Sequence, residues 1–385
     1  MAFTILHKWL DKVLADLEAR RIPKESKQQR RRWRLLQVES AIACNLKCIM
    51  CPWREIAYQH SRKGHMEHTV WGAVSPHLKD VQSIDFTGGG EPLLQPHLID
   101  WVREAGEAGC ETGLLTNGTL LTAEKSKQLI EAGIDWICIS MDGATAEIYE
   151  TIRPGARFRR VCDHVSQLTA QRLGKRPKVM INFVMMQRNV HQLDAMVDLA
   201  VELGVDQINY KQCDVIRGDS GKGFGLFADK ATGNIRKLEK VLRRARRRAK
   251  KKGIETTAFA WVPEELPVCD QDPRNSMFIR HDGSVAPCIN LAMGGPTTFL
   301  GTDVEMPTVH YGRLPEDDLL NLWESKTCRL YRDRFKLRMS AYETGFARSD
   351  LEPSPTKIKE ALENAQKAMP PAPEGCQVCH YLYNI

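Results

Sequence analysis

The sequence lacks the features of a membrane or exported protein. No apolar run reaches the roughly eighteen residues that a membrane-spanning helix needs. Residues 1–18 intersperse charged side chains among apolar ones and do not have the pattern of a signal peptide. We therefore expect a cytoplasmic protein with no membrane span.

Regularly spaced cysteines are also missing. The 385 residues include twelve cysteines, but these are concentrated in parts of the chain rather than spread as a disulfide framework. Many free thiols in a large chain without an export signal indicate a reducing compartment and metal ligation. The cysteines are therefore candidates for metal ligands.

Acidic residues are almost absent from segment 236–252, which contains eleven Lys or Arg and only Glu239. Its charge of +10 (eleven minus one) exceeds the +7 of the whole chain, so the remainder is slightly acidic. Apolar residues recur at helical spacing and predict a helix with one packed face. A solvated basic helix is the favoured interpretation, and we do not expect a nucleic-acid partner. Contact with nucleic acid or an anionic surface is the alternative.

The apolar pattern predicts an α/β fold. Short apolar runs alternate with helical stretches six times over, which indicates a parallel sheet with helices outside. The predicted strands are Leu35–Ser40, Val81–Phe86, Glu111–Leu115, Trp136–Ser140, Lys178–Val184 and Gln207–Lys211. The predicted helices span about 96–108, 122–132, 158–171, 192–203 and 236–252. Six such units make a partial (β/α)6 barrel, whose chemistry is expected at the carboxyl ends of the strands.

Cys44, Cys48 and Cys51 lie on one short loop after the first predicted strand, with the spacing C-x3-C-x2-C and no fourth cysteine nearby. Such a loop can hold three corners of one [4Fe–4S] cluster and leave the fourth iron without a protein ligand. Zinc sites usually take four ligands from paired knuckles, so this loop fits zinc poorly.

This loop resembles the signature of the radical S-adenosylmethionine (SAM) superfamily, and the resemblance extends over roughly residues 35–385. It implies a [4Fe–4S] cluster on the three cysteines, with SAM chelated at the open iron. It also implies a flavodoxin or ferredoxin reductant, and cleavage of SAM to a 5′-deoxyadenosyl radical.

The second predicted strand is followed by Thr-Gly-Gly-Gly-Glu-Pro at 87–92. Glycine lets the backbone pass close to a ligand, and a neighbouring carboxylate can accept the protons of an amino group. The stretch is similar to the family's Gly-Gly-Glu motif, which implies that Gly89, Gly90 and Glu91 hold the SAM amino group.

Other family-like stretches follow the third and fourth predicted strands. The resemblance implies that Ser140 contacts the SAM ribose and that Arg153 neutralises the SAM carboxylate. Asn117 is a further candidate, with a helix-capping turn as the alternative. Met50 stands where the family often has an aromatic residue, and its polarizable thioether can pack against adenine.

A second cysteine set, Cys269, Cys288, Cys376 and Cys379, lies in the last third of the chain. It resembles the SPASM/twitch domain, although three further cysteines of a full SPASM pattern are missing. The resemblance therefore implies one auxiliary [4Fe–4S] cluster, with zinc as the alternative ligand. We divide the chain into an N-terminal helical and basic extension (1–34), a radical SAM barrel (35–255) and a small auxiliary cluster domain (256–385) with an insertion at about 337–375.

Cys213 follows the sixth predicted strand, where a barrel side chain reaches substrate. It is a candidate catalytic residue, with simple structural filling as the alternative. The glycine-rich loop 217–225 lacks the G-x4-G-K-[ST] order of a phosphate loop, and we interpret it as a lid over the barrel mouth.

We predict a radical SAM oxidoreductase, because an auxiliary cluster with four protein ligands is suited to accept an electron from a substrate radical. Only about forty residues precede the cysteine loop, so we expect no peptide-recognition module there. That favours a small alcohol or carbohydrate-like substrate. The alternatives are a peptide-modifying maturase or an epimerase of the same superfamily. From another class, the alternative is a non-catalytic metal-binding or nucleic-acid adaptor.

Overall fold

The structure is a computed structural model that describes residues 31–53, 64–213, 223–226, 235–347 and 355–385. The predictions for residues 1–30, for most of the loop 217–225 and for the middle of the insertion lie outside the described residues.

The described chain forms a ten-stranded sheet and a separate hairpin. The strands are β1 (Trp33–Val38), β2 (Val81–Asp85), β3 (Glu111–Thr116), β4 (Trp136–Ser140), β5 (Lys178–Met185), β6 (Gln207–Gln212), β7 (Glu255–Ala258), β8 (Ser276–Ile279), β9 (Ser284–Ala286), β10 (Gly295–Phe299), β11 (Thr302–Met306) and β12 (Gly312–Arg313). The large sheet has the order β12-β9-β8-β1-β2-β3-β4-β5-β6-β7, and β10 pairs with β11.

Helices cover the outside of this sheet. Within the described ranges they are α1 (His68–Val74), α2 (Leu98–Glu107), α3 (Ala123–Glu131), α4 (Ala146–Ile152), α5 (Phe158–Gln171), α6 (Leu193–Glu202), α7 (Ile235–Lys251), α8 (Ile289–Met293), α9 (Leu319–Trp323), α10 (Lys326–Ala347) and α11 (Pro355–Ala368). The predicted α/β barrel with a smaller C-terminal part is confirmed, and the six predicted strands correspond to β1–β6.

The structure adds parallel strands that the sequence pattern did not predict. β7 pairs with β6, and β8 pairs in parallel with β1 at the other edge of the barrel. β7 straddles the predicted domain boundary at 255/256, and β8 comes from the predicted auxiliary domain. The sheet therefore runs continuously from one predicted domain into the other, and the division itself stays a prediction.

The strands place polar side chains inside the barrel. Along β5, buried residues alternate with partly exposed ones, as two-residue periodicity requires. Val179, Ile181 and Phe183 are fully buried. Asn182 belongs to the other face and lines the internal cavity described below. The outer face thus supplies the apolar core, and the inner face supplies the site.

Capping residues bound α3, and α7 has the one packed face predicted for the basic helix. The Thr122 side chain caps α3 by accepting from Lys125 N, and Gly133 follows the helix at a φ of +82°. α7 buries Leu238 and three other apolar residues, while Arg248 forms a bidentate ion pair with Asp198 of α6 at 2.7 and 2.9 Å. The basic helix is thus fixed to the barrel exterior.

No helix among the described residues combines the length and the apolar character needed to cross a membrane.

Gly113 of β3 and Trp136 of β4 provide a test of the barrel packing. They are neighbours in the parallel register, and a Cβ on Gly113 would lie 2.0 Å from Trp136 Cε2. We expect Gly113→Ala to lower the free energy of unfolding by about 1–3 kcal/mol, because the indole would have to move. Denaturant unfolding measures this.

The control is Gly72→Ala in α1, where an added Cβ meets nothing within 4 Å. That substitution should raise the free energy of unfolding by about 0.5–1 kcal/mol, because alanine is the better helix former. Equal effects of the two substitutions would contradict the packing described for β3 and β4.

Candidate active site and iron–sulfur centres

One cavity of about 390 Å3 lies where the barrel strands end. Every residue that the sequence predicted for the first cluster and for SAM lines it: Cys44, Cys48, Met50, Cys51, Gly89, Gly90, Glu91, Asn117, Ser140 and Arg153. Cys213 at the end of β6 lines the same cavity and is half-buried. These residues come from separate parts of the chain, and the barrel topology gathers them at one edge.

Backbone hydrogen bonds fasten the cysteine loop to the segment after α4. Ile49 N donates to Ile152 O at 3.0 Å, and Lys47 N donates to Pro154 O at 3.4 Å. Within the loop, Cys51 N donates to Cys48 O at 3.2 Å. The positions of the three thiols are therefore set by contacts with the fourth βα unit.

Arg153 reaches the cysteine loop with a buried counterion behind it. Its Nε and a terminal nitrogen lie 2.7 and 2.6 Å from Asp142 Oδ2, and another terminal nitrogen lies 3.6 Å from Cys48 Sγ. Burial raises the pKa of the Cys48 thiol to about 12, and the guanidinium opposes that rise. A metal-ligating thiol must lose its proton, so this cation favours the ligating form.

Glu91 is almost fully buried beside the glycine turn, and three protein donors hold its carboxylate. Oε1 accepts from Thr116 Oγ1 at 2.6 Å and from Leu93 N at 3.2 Å, and Oε2 accepts from Asn117 N at 2.8 Å. Burial raises the pKa of Glu91, and these bonds counter the rise. A carboxylate has about four acceptor positions, so one is left for a ligand amino group. The predicted contact with SAM stays a prediction.

Asn117 connects the third strand end to the cysteine loop. Its Nδ2 donates to Asn45 Oδ1 at 2.9 Å and lies 4.0 Å from Cys44 Sγ. Its Oδ1 accepts from Thr119 N at 2.9 Å, as in the turn considered from sequence. Asn117 thus has a local turn role and lines the cavity as well.

Met50, the residue expected to pack against adenine, has an aromatic neighbour in the cavity. Met50 and Trp53 both line the cavity. A Cβ on Gly89 would lie 2.5 Å from Trp53 Cδ2, so the indole lies directly against the glycine turn. Ser140, at the end of β4, is nearly buried and borders the cavity, as its predicted ribose contact requires.

Glu39 at the end of β1 was not predicted, because a single acidic residue before the cysteine loop carries no pattern. It is fully buried, and its Oε1 accepts from Gly89 N at 2.8 Å. Its Oε2 lies 2.7 Å from His281 Nδ1 and 3.3 Å from His281 N. His281 lies in the turn between β8 and β9, so this carboxylate connects the glycine turn to the C-terminal part of the chain.

The second cysteine set is gathered at one place. Burial raises the pKa of Cys269, and the neighbouring Cys288 and Cys379 thiols raise it further. Burial likewise raises the pKa of Cys376, with further contributions from Cys288, Cys269 and Cys379. Asn290 Nδ2 lies 3.6 Å from Cys379 Sγ. Four thiols from distant positions therefore share one buried volume.

Both thiol sets fit iron–sulfur clusters. Thiolates alone form the usual ligand set of a [4Fe–4S] cluster, with three from a loop or four from separate segments. Across the described ranges, no three His, Cys, Asp or Glu side chains are arranged to hold a single metal ion. Zinc at the second set stays the alternative considered from sequence.

Asp85 at the end of β2 is another group that the sequence analysis did not identify. Protein surrounds it inside the barrel, and burial raises its pKa to about 6. The Thr87 hydroxyl donates to its carboxylate and accepts from Leu115 N at 2.9 Å. A carboxyl in this state binds a proton more readily than one in water.

Family models match two parts of the chain. The model of the radical SAM superfamily matches residues 38–200, and that of SPASM, an iron–sulfur cluster-binding domain, matches residues 269–344. The second match begins at Cys269 of the auxiliary set.

Curated relatives vary in the share of the chain they match. A tungsten-containing aldehyde ferredoxin oxidoreductase cofactor-modifying protein of Pyrococcus furiosus is 25% identical over 316 residues, which is 77% of this chain and 82% of that protein. A PqqA peptide cyclase of Streptomyces rochei is 36% identical over 176 residues, 44% of this chain and 46% of the cyclase. The chain thus spans most of the first relative and about half of the second.

Solved structures share the fold. SuiB of Streptococcus suis bound to S-adenosylmethionine matches with a TM-score of 0.60 and 17% identity, covering 78% of this chain and 68% of SuiB. Native anSMEcpe with bound AdoMet matches with a TM-score of 0.57 and 16% identity, covering 87% of this chain and 96% of anSMEcpe.

The metal content tests the two-cluster assignment. Anaerobically reconstituted protein should contain about eight iron and eight sulfide per chain, and replacing Cys44, Cys48 and Cys51 with Ala should leave about half of each. Cys162→Ala, on α5 and in neither set, should leave the iron content unchanged. Zinc in place of iron at the second set, or no cluster in the triple variant, would contradict the assignment.

Asp85 predicts a pH dependence of stability. Because its pKa is raised, the folded chain holds this proton more tightly than the unfolded chain does, and the free energy of unfolding falls as the pH rises from about 4 through 6. Relative to wild type, Asp85→Asn should therefore gain roughly 1.4 kcal/mol between pH 5 and 7.5. Melting temperatures of the two proteins measure this, with the exposed Asp100→Asn as the control. A difference in melting temperature between wild type and Asp85→Asn that stays the same at every pH would refute this prediction.

Proposed function

This chain belongs to the radical SAM superfamily and carries a SPASM-type iron–sulfur domain, and from that premise we propose that it oxidises a C–H bond of its substrate. When bound, the first cluster with SAM supplies a 5′-deoxyadenosyl radical for hydrogen abstraction, and the auxiliary cluster supplies a one-electron acceptor. The remaining contribution is made by the chain, which binds, orients and encloses the reactants.

The observation that supports oxidation is that the cavity is lined by the first thiol set and by sequence neighbours of the second. Cys44, Cys48 and Cys51 line it directly. Ile289 and Asn290, which follow Cys288, line the same cavity, as does Tyr381, two residues after Cys379. We therefore propose that a substrate in this cavity is near both centres, as a reaction that removes a hydrogen atom and then an electron requires.

The cavity also contains the groups for holding a polar cofactor. The Arg153 guanidinium provides positive charge beside the cysteine loop, where we propose that it faces the SAM carboxylate. Glu91 offers its remaining acceptor position to the amino group, and Ser140 offers a hydroxyl to the ribose. Asp142 keeps Arg153 in place, because a buried guanidinium without a counterion would be unstable.

The substrate class divides the proposal into two forms. A small alcohol or carbohydrate-like substrate, favoured by the sequence analysis, stays a prediction. A peptide substrate is supported by the relatives named PqqA peptide cyclase, one of which is 36% identical over 176 residues. We therefore propose oxidation of a peptide side chain as the second form, to be separated from the first by assaying both substrate classes.

The reductant is proposed to be a flavodoxin or ferredoxin, as is usual for this superfamily. Release of 5′-deoxyadenosine on reduction would support the enzymatic proposal. Its absence from a protein with full iron content would instead favour a non-catalytic metal-binding role. The predicted cytoplasmic location is consistent with this proposal and stays a prediction.

Cys213 separates oxidation from epimerisation. A thiol can return a hydrogen atom to a carbon radical, whereas oxidation requires loss of an electron and a proton. If the enzyme oxidises, Cys213→Ala should retain product formation within about threefold, because the thiol only fills space. The measurement is turnover in deuterated water, with Cys138→Ala in the barrel wall as the matched control.

The opposite result would favour the epimerase. Solvent deuterium at carbon in the wild-type product, together with a Cys213→Ala variant that stalls after forming 5′-deoxyadenosine, would show that the thiol donates hydrogen. Oxidation would then be wrong for this chain.

A further inference from the structure

Glu39 and His281 form a buried pair between the predicted SAM site and the C-terminal part of the chain. Glu39 follows β1, just before the cysteine loop, and His281 follows β8. The carboxylate is fully buried, and the imidazole is mostly so. Glu39 lies within the segment that the radical SAM model matches, 38–200, and His281 lies within the segment that the SPASM model matches, 269–344.

Both oxygens of the carboxylate have protein partners. Oε1 accepts from Gly89 N at 2.8 Å, and Oε2 accepts from both the ring Nδ1 and the backbone N of His281. An ionised carboxylate donates no hydrogen, so the Nδ1 of His281 carries the proton in this contact. Glu39 therefore holds the central glycine of the turn with one oxygen, and His281 holds the other oxygen.

The glycine turn is packed too closely for side chains at Gly88 and Gly90. A Cβ on Gly88 would lie 2.3 Å from Glu39 Cγ, and one on Gly90 would lie 2.4 Å from Ala43 O. Glu91 N donates to Ala43 O at 2.8 Å, so the cysteine loop fixes the far end of the same turn. The segment after β1 therefore holds the turn at two points, through the Glu39 carboxylate at Gly89 and through Ala43 O at Glu91.

We propose that Glu39 and His281 are positioning residues for SAM, through which the C-terminal domain sets the conformation of the Gly88–Gly90 turn. The proposal rests on the SAM site placed at this turn. Removing the outer hydrogen-bond partners of metal-ligating side chains typically costs about 10- to 100-fold in metal affinity or activity, and we expect an effect at the lower end of that range here. The pair therefore makes SAM affinity depend on the β8–β9 turn, which itself contributes no residue to the cavity lining.

The test is SAM affinity measured by equilibrium dialysis on the reconstituted, unreduced protein, where SAM is bound but not cleaved. His281→Ala should weaken SAM binding about tenfold with unchanged iron content. His281→Asn should restore affinity to within about twofold, because its amide nitrogen takes the place of Nδ1. Glu39→Gln should weaken binding at least as much as His281→Ala, because its amide group cannot accept on both sides.

The matched control is His77→Ala. His77 also joins the barrel to the C-terminal part through a carboxylate, with its Nε2 3.6 Å from Asp318 Oδ2, but it does not line the cavity. Its removal should leave SAM affinity unchanged.

Three results would overturn the inference: wild-type affinity in His281→Ala, no recovery in His281→Asn, or an equal loss in His77→Ala. The last would mean that any loosening between the two parts weakens SAM binding. Failure of the wild-type protein to bind SAM would instead remove the SAM site itself.

Discussion

Three buried carboxylates at the carboxyl ends of the strands hold the site together. Glu39 follows β1, Glu91 follows β2 and Asp142 follows β4, and each is at most 2% exposed. A buried carboxylate is strongly unfavourable unless charge or hydrogen bonds satisfy it. Each therefore fixes the groups that satisfy it. These are Gly89 N and His281 for Glu39, and Arg153 with Val184 N for Asp142. For Glu91 they are Leu93 N and two donors at the end of the third strand. The hydrogen bonds and the ion pair of these carboxylates consequently position the loops around the cavity.

Much of this architecture could be predicted from the sequence, because its signals are local. The alternation of short apolar runs with helical stretches located β1–β6 to within two residues at either end. The first cluster was assigned from the spacing of Cys44, Cys48 and Cys51, because three thiols within eight residues must lie close together. Thr122 and Gly133 marked the ends of α3 through ordinary capping chemistry.

What the sequence did not predict depends on contacts between distant positions. β8 is only four residues long, and its pairing with β1 joins segments about 240 residues apart. Glu39 and His281 are separated by 242 positions, and neither stands in a motif. The two backbone donors to Glu91, Leu93 N and Asn117 N, were equally invisible, because backbone N–H groups carry no sequence signal. Such residues are recognised only once the topology has brought them together.

The auxiliary thiols have a mechanical consequence for the chain. Cys269 and Cys379 are 110 positions apart, so a cluster that bridges them closes a long loop of polypeptide. Closing such a loop restricts the unfolded chain more than closing a short one does, although only logarithmically with length. The centre therefore acts as a cross-link whose bond is redox-active. Within this loop lie β8 and the β8–β9 turn, so the strand that extends the sheet beyond β1 lies inside the ring that such a cluster would close.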